Sequence, residues 1–229
     1  MKQLVTAGII LSRTNYGEAD RIITVLTPEQ GKLRLMVRGA RRVKSKLAGG
    51  IELFTVSDLT YIPGKGEIGT LVSSRMQRHF GNIVKQLDRV QLGYALIKLL
   101  NRATEDQLDS SYFELLARAF AALDDQAIDL DLVQLWFQAQ LFRLNGQTPN
   151  LETDADEQPL QATARYNFDY DAMTFRQAAE GPITAAHIKF LRLLFSDHQP
   201  ATLSRIQDRV QLQRAIQPLI ENIAKIQIR

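Results

Sequence analysis

Between Lys32 and Lys46 the chain carries seven basic side chains (Lys32, Arg34, Arg38, Arg41, Arg42, Lys44 and Lys46) and no acidic one. Solvated surface segments usually mix the two signs of charge, so an unmixed run of this density calls for a polyanion. Phosphate is the fitting chemistry: Lys and Arg displace condensed counterions from a nucleic-acid backbone and bind it without regard to sequence. Lys65, in the turn Pro63-Gly64-Lys65-Gly66, adds one more cation. Stacking of bases needs aromatic rings beside such charge. Tyr61 adjoins that turn and is the first candidate, with Tyr16 and Phe54 behind it; a place in a hydrophobic core is the competing role for each.

Other chemistries find less support. The chain has no Cys, which excludes disulfides, thiol catalysis and cysteine-held zinc or iron–sulfur clusters. Pro63–Gly66 lacks the spacing of a phosphate-binding P-loop and reads as a hairpin turn. His79, His187 and His198 stand far apart, with no pair at metal-ligand spacing. The carboxylates at Asp124, Asp125, Asp129 and Asp131, and at Asp154, Asp156 and Glu157, fall in loops or at helix starts, where capping is the ordinary role. The expectation is a protein that is not an enzyme and needs no metal or other cofactor.

Charge is unevenly divided. The whole chain of 229 residues has a formal net charge of +3, yet residues 1–90 hold 15 basic and 7 acidic side chains, a net of +8. Residues 91–229 hold 13 and 18, a net of −5. Such asymmetry points to a polyanion-binding first segment. With 45% apolar residues, 13 Gly and 7 Pro, the composition is that of a folded globular chain. No apolar run reaches membrane-spanning length and the start has no signal-peptide pattern, so a cytoplasmic protein that does not engage membranes is expected.

The elements that must position the basic run change character along the chain. Leu4–Leu11, Arg21–Leu26, Lys32–Arg38, Glu52–Tyr61 and Ile68–Ser74 read as strands, separated by Gly- and Pro-bearing turns. In Lys32–Arg38, Leu33, Leu35 and Val37 face one way and Lys32, Arg34, Met36 and Arg38 the other. Five short strands with no helical period between them suggest a small closed sheet of the OB type, because closure removes exposed edges. From Gly81 the period becomes helical. A first helix holds Ile83 to Leu100, a second spans Tyr112–Leu123 after an Asp109-Ser110-Ser111 cap, and a third spans Leu132–Leu144 before Asn145-Gly146. Trp136, Phe137, Leu141 and Phe142 make the third helix apolar enough for a core, with a partner-binding groove as the alternative. A hairpin is expected at Ala164–Phe175, then helices at Thr184–Phe195, Thr202–Gln207 and Gln213–Ile226, the last containing Pro218. Lys189, Arg192, Arg205, Arg209 and Arg214 are basic spots in this half, read as solvated charges or a seat for an acidic peptide. The fold class is therefore α+β: an N-terminal OB-fold β-barrel (residues 1–79) followed by an α-helical domain (80–229) with an irregular insert at about 147–182.

These residues carry a family resemblance. Gly8-Ile9-Ile10-Leu11-Ser12, Tyr16-Gly17-Glu18-Ala19-Asp20-Arg21, the stretch from Leu26 through Pro28-Glu29-Gln30-Gly31 to Arg34, Arg38-Gly39-Ala40-Arg41-Arg42, Ser45-Lys46-Leu47-Ala48-Gly49 and Gly64-Lys65-Gly66-Glu67 resemble, in order and spacing, the bacterial RecO family of recombination mediators. Leu144-Asn145-Gly146 and Pro149-Asn150-Leu151 extend the likeness more loosely. The resemblance implies an OB-fold, binding of single- and double-stranded DNA, and annealing of complementary strands. It also implies cooperation with RecR to load RecA on DNA coated by single-strand-binding protein, whose acidic C-terminal tail meets the helical domain. A role in DNA damage repair and recombination through the RecF pathway, near the nucleoid, follows from the same likeness. Many members carry a four-cysteine zinc motif about where this chain has Glu152–Glu157; without Cys, that segment is expected to fold by packing alone.

Two rival classes are an OB-fold RNA-binding adaptor, separable by competition of RNA against DNA at fixed salt, and a metal-dependent nuclease, separable by cleavage-free annealing in EDTA. If the basic run neutralises about four to six phosphates, the logarithm of the affinity for DNA falls with the logarithm of salt at a slope of about −4 to −5. A salt titration by fluorescence anisotropy measures it, and a slope near zero removes the electrostatic reading.

Overall fold

The computed structural model describes residues 2–105 and 109–227. Two compact units divide the chain, Met1–Asp125 and Gln126–Arg229.

In the first unit five strands, β1 (Leu4–Tyr16), β2 (Asp20–Thr27), β3 (Gly31–Val37), β4 (Thr55–Ile62) and β5 (Ile68–His79), close into a barrel in the order β1-β2-β3-β5-β4. This is the OB-like closure that the strand pattern predicts. Neighbours are antiparallel except β3 and β5, which pair in parallel through Arg34–Ile68, Leu35–Gly69 and Met36–Thr70. Two strands are longer than the sequence suggests, because their pairing continues past the apolar stretch. β1 pairs with β4 over Leu4–Ile9, shifts register between Ile10 and Ser12, and continues against β2 to Tyr16. β5 continues past Ser74 along β4 to His79, with two register shifts. Shifts of this kind bend a strand around a small barrel. The interior is filled by Ile10, Ile23, Val25, Leu35, Val37, Leu59 and Leu71.

Helix α1 (Leu87–Ala103) begins later than the periodicity suggests, after a 3-10 turn at Ile83–Lys85 and an extended Gln86. Polar ties to the end of α2 (Ser110–Asp124) hold that turn. The Asn82 backbone N–H donates to the Asp124 carboxylate at 2.7 Å, and its side-chain amide donates to the Asp124 carbonyl at 3.1 Å. The buried Arg89 donates to the Leu123 and Asp125 carbonyls, a cation satisfying a helix C-terminus. Asp109 caps α2 as its sequence suggests, accepting from the Ser111 N–H. Phe54 packs edge-on against Phe120 and Tyr94. Its backbone is left-handed (φ +58°), and a Cβ at Gly93 would lie 2.5 Å from its ring. The missing side chain at Gly93 is thus what admits the ring.

In the second unit α3 (Leu130–Leu144) starts at an Asp129 cap and is buried at Leu132, Val133 and from Leu135 to Phe142. Trp136, Phe137, Leu141 and Phe142 are core, 2% exposed or less, so the reading of this helix as a partner groove is set aside. Gln140 donates to the carbonyls of Leu194 and Ser196 at the end of α4 (Ala185–Leu194), and Trp136 donates to His198. The short helix α5 (Pro200–Leu203) begins at its proline, two residues before the expected start. The last helix α6 (Arg209–Gln227) contains Pro218 and begins four residues early. A three-stranded sheet of β6 (Arg165–Asp169), β7 (Thr174–Gln177) and β8 (Ile183–Thr184), in the order β7-β6-β8, includes the expected hairpin.

The acidic segment before this sheet folds by more than packing. Asp154 is buried, and its carboxylate accepts from the backbone N–H groups of Asp156 (3.0 Å) and Gln158 (2.9 Å). Backbone bonds from Ala155 to Phe175 and from Asp154 to Gln158 complete the turn. Replacing Asp154 by Ala leaves two donors unmet and is expected to cost about 1–3 kcal/mol. Asn, which keeps the acceptor oxygen, should cost less. Denaturant unfolding followed by emission of Trp136, the one Trp of the chain, measures both.

At the start of α4 the Thr184 N–H donates to His187 Nδ1 at 3.0 Å, which requires that nitrogen to be unprotonated. Burial, and then the nearby Arg165 charge, push the His187 pKa below its ordinary 6.5. The unfolded chain therefore binds the proton more readily than the folded one. Stability from this site is complete above about pH 6.5 and is lost as pH falls through the lower folded value. Acidifying from pH 7.5 to 5 should lower the Trp136-monitored midpoint, and His187→Gln should flatten that dependence.

Candidate nucleic-acid interface

The alternation in β3 sorts its side chains as the sequence suggests: Leu35 and Val37 are buried in the barrel, while Arg34 is exposed. Pairing extends this outer face across three strands. Ser12, Thr24 and Arg34 form one cross-strand row, and Thr14, Ile22 and Met36 form the next. Beside the first row lies a groove of about 530 Å³ lined by Ser12, Thr24, Lys32, Arg34, Glu67 and Asn101. Arg34 reaches the Glu67 carboxylate only at 3.8 Å, with both side chains more than half exposed. A pair that open to water is worth little and yields readily to a phosphate.

Past β3 the chain carries Arg38, Arg41, Arg42, Lys44 and Lys46, all exposed. The loop is fastened at both ends. Gly39, at φ +65°, turns the chain so that its N–H donates to the Asp20 carboxylate at 2.7 Å. The Arg41 N–H donates to the Ala19 carbonyl at 2.9 Å, and its guanidinium to the Gly17 carbonyl at 3.3 Å. These bonds set Arg38 to Arg42 against the β1–β2 turn. Further on, the Ser74 hydroxyl donates to the Leu47 carbonyl at 3.1 Å, bringing the segment with Lys46 alongside β5. Among the described residues, the side chains of Arg38, Arg42, Lys44, Lys46 and Lys65 make no hydrogen bond or ion pair.

Two of the expected residues have different roles. Lys32 is half-buried, and its ammonium donates to the Thr104 carbonyl at 3.0 Å, the residue that ends α1. Its charge there serves the helix C-terminus. Tyr61 is only 3% exposed and belongs to the barrel core, its hydroxyl donating to the Gln30 side chain. A ring so enclosed offers no face to a base, which corrects the expectation for Tyr61; Phe54, 2% exposed, is excluded by the same reasoning. Tyr16, at the end of β1, is 56% exposed. Lys65 is exposed in the β4–β5 turn, one residue from Gly66-Glu67 and hence at the Arg34 end of the face. Arg75 and Arg78 were missed: both are exposed on the far half of β5, where the sequence reading ended the strand at Ser74. The signal was an extended, acid-free stretch from Ile68 to Leu87.

Of the basic residues named in the second unit, Lys189, Arg205 and Arg214 are exposed, while Arg192 and Arg209 are engaged. Arg192 donates twice to the Leu151 carbonyl, and Arg209 lies 3.7 Å from Asp129. Among the described residues, no group of three or more His, Asp or Glu is placed to hold a metal ion. Where the resemblance puts a zinc motif, the Asp154 carboxylate is taken up by backbone N–H groups, so the residues present do not fit a structural zinc. Among the described residues no helix is long and apolar enough to cross a membrane.

The family model for the N-terminal part of recombination protein O matches residues 1–80, and that for its C-terminal part matches residues 84–223. The chain belongs to the recombination protein O family. Curated relatives named "DNA repair protein RecO" include those of Desulfatibacillum aliphaticivorans (30% identical over 155 residues, 66% of this chain and 60% of the relative) and Halalkalibacterium halodurans (33% over 146 residues, 63% and 57%). That of Bacillus cytotoxicus is 29% identical over 194 residues, 82% of this chain and 77% of the relative. The chain spans about 60% of the length of the first two. The family's two parts meet just after β5, whereas the compact units divide at Asp125, so α1 and α2 fold with the barrel although they match the C-terminal part.

Proposed function

We propose that this member of the recombination protein O family acts in DNA repair by holding DNA electrostatically on the outer face of its barrel. The observation that carries the reading is the fastened loop Arg38–Lys46, in which the exposed side chains of Arg38, Arg42, Lys44 and Lys46 make no hydrogen bond or ion pair among the described residues. Phosphate binding by such a surface needs neither nucleotide nor metal, and it accepts single and double strands alike. Neutralising the mutual repulsion of two strands also brings complementary sequences together, so the activity we assign is annealing, with no covalent chemistry. The names of the relatives support the repair setting. In that setting the partners are RecR and single-strand-binding protein, the latter through its acidic tail, and the outcome is RecA loaded onto coated DNA.

Reversal of Arg41, Arg42, Lys44 and Lys46 to Glu is expected to abolish DNA binding and annealing. Thermal unfolding should change little, since exposed substitutions usually stay within about 0.5 kcal/mol each. Fluorescence annealing of complementary oligonucleotides, with and without single-strand-binding protein, reads the outcome. Retained binding would move the site off this face.

A further inference from the structure

We propose that Tyr16 is a base-stacking residue of this surface and that Asp20 is the positioning residue that holds the cationic loop beside it, so that the site takes a strand with unpaired bases. The inference rests on the reading of the barrel face as a DNA site and adds to it a preference for single strands.

Tyr16 ends β1 and pairs in register with Asp20, the first residue of β2. It is 56% exposed, whereas Phe54 and Tyr61, the other aromatic candidates of the barrel, are 2% and 3% exposed. The turn that follows it is tied to the basic loop. The next residue, Gly17, accepts the Arg41 guanidinium, Ala19 accepts the Arg41 N–H, and Asp20 accepts the Gly39 N–H. Three bonds thus join the β1–β2 turn to the start of the basic loop. An exposed ring on the same turn that holds the Arg41 guanidinium is a combination suited to single strands: phosphates meet the cations and a base lies on the ring. In a duplex the bases are already stacked, and the ring has nothing to receive.

Asp20 is one of two acidic groups in this turn, with the exposed Glu18, and its charge by itself opposes DNA. Its carboxylate instead orders a loop that would otherwise lose freedom on binding. Charge and positioning therefore predict opposite effects of removing it, which separates the two roles.

The probe is an oligodeoxythymidylate, with a duplex of equal length for comparison. Tyr16→Ala should weaken single-strand binding roughly 5- to 150-fold, leave duplex binding within about twofold, and leave the salt slope unchanged, because a stacked base contributes no phosphate contact. Tyr16→Phe should restore binding. Tyr16→Trp should be quenched by the oligonucleotide, against the constant background of Trp136, which is 2% exposed, and inorganic phosphate should not quench it. Asp20→Ala should weaken binding about 3- to 10-fold, as expected for a loop that must be ordered anew. Asp20→Asn, which keeps the acceptor and drops the charge, should bind at least as tightly as the parent. Equal losses on single strand and duplex, no quenching of the Tyr16→Trp variant, or Asp20→Ala binding as Asp20→Asn does would overturn the proposal. If the four-residue charge reversal abolishes binding while Tyr16→Ala matches the parent, stacking is wrong and the basic site stands. If the reversal leaves binding intact, the site itself is misplaced and this proposal falls with it.

Discussion

The parallel pairing of β3 with β5 is the contact on which the first unit depends. Three residue pairs, Arg34–Ile68 to Met36–Thr70, turn an open sheet into a barrel, and closure removes the edges that would recruit other strands. Closure also assigns the two faces of β3. Leu35 and Val37 must point inward among Ile23, Val25 and Leu59, and this compels Arg34 and the residues aligned with it to point outward. A slip of one residue would bury the arginine and expose the leucines, so the core enforces the register and, through it, the place of the charge.

The loop after β3 inherits its position from that register. With Arg21 paired to Val37, the β1–β2 turn lies where Asp20, Ala19 and Gly17 can receive Gly39 and Arg41. A loop of that length, left untied, would spread its cations over many arrangements and lose entropy on meeting a phosphate backbone. Tied at the β1–β2 turn and again at Ser74, it presents a surface of defined charge. The two units use polar side chains to similar effect: Arg89 and Gln140 satisfy helix C-termini, and Asp154 braces the turn of the acidic segment. Hydrogen bonds to backbone groups thus fix the loops and helix ends, as the hydrophobic core fixes the strand register.

Much of this was legible in the chain itself. The alternation in Lys32–Arg38, the turn residues between strands and the switch to a helical period after Gly81 identify a barrel followed by helices, because side-chain direction follows directly from backbone period. The cationic run was equally plain, since charge is a property of composition. The ends of β1 and β5 were not legible: the residues beyond Leu11 and Ser74 are mostly polar and alternate weakly, and they are strands because β2 and β4 respectively continue alongside them. Arg75 and Arg78 were overlooked for that reason.

Whether an aromatic ring is core or surface was decided by tertiary structure alone. Tyr16, Phe54 and Tyr61 each stand beside turns and look alike in sequence, yet Phe54 is drawn into the gap that Gly93 leaves, Tyr61 is sealed into the barrel, and Tyr16 is left in solvent. The same holds for Lys32, whose charge counts toward the basic run until the end of α1 claims it. The amino-acid sequence determines the amount and sign of charge, the periods and the turns, because these are local properties. Which of those charges and rings remain available depends on what distant segments bury or bind, and only the folded chain brings those segments together.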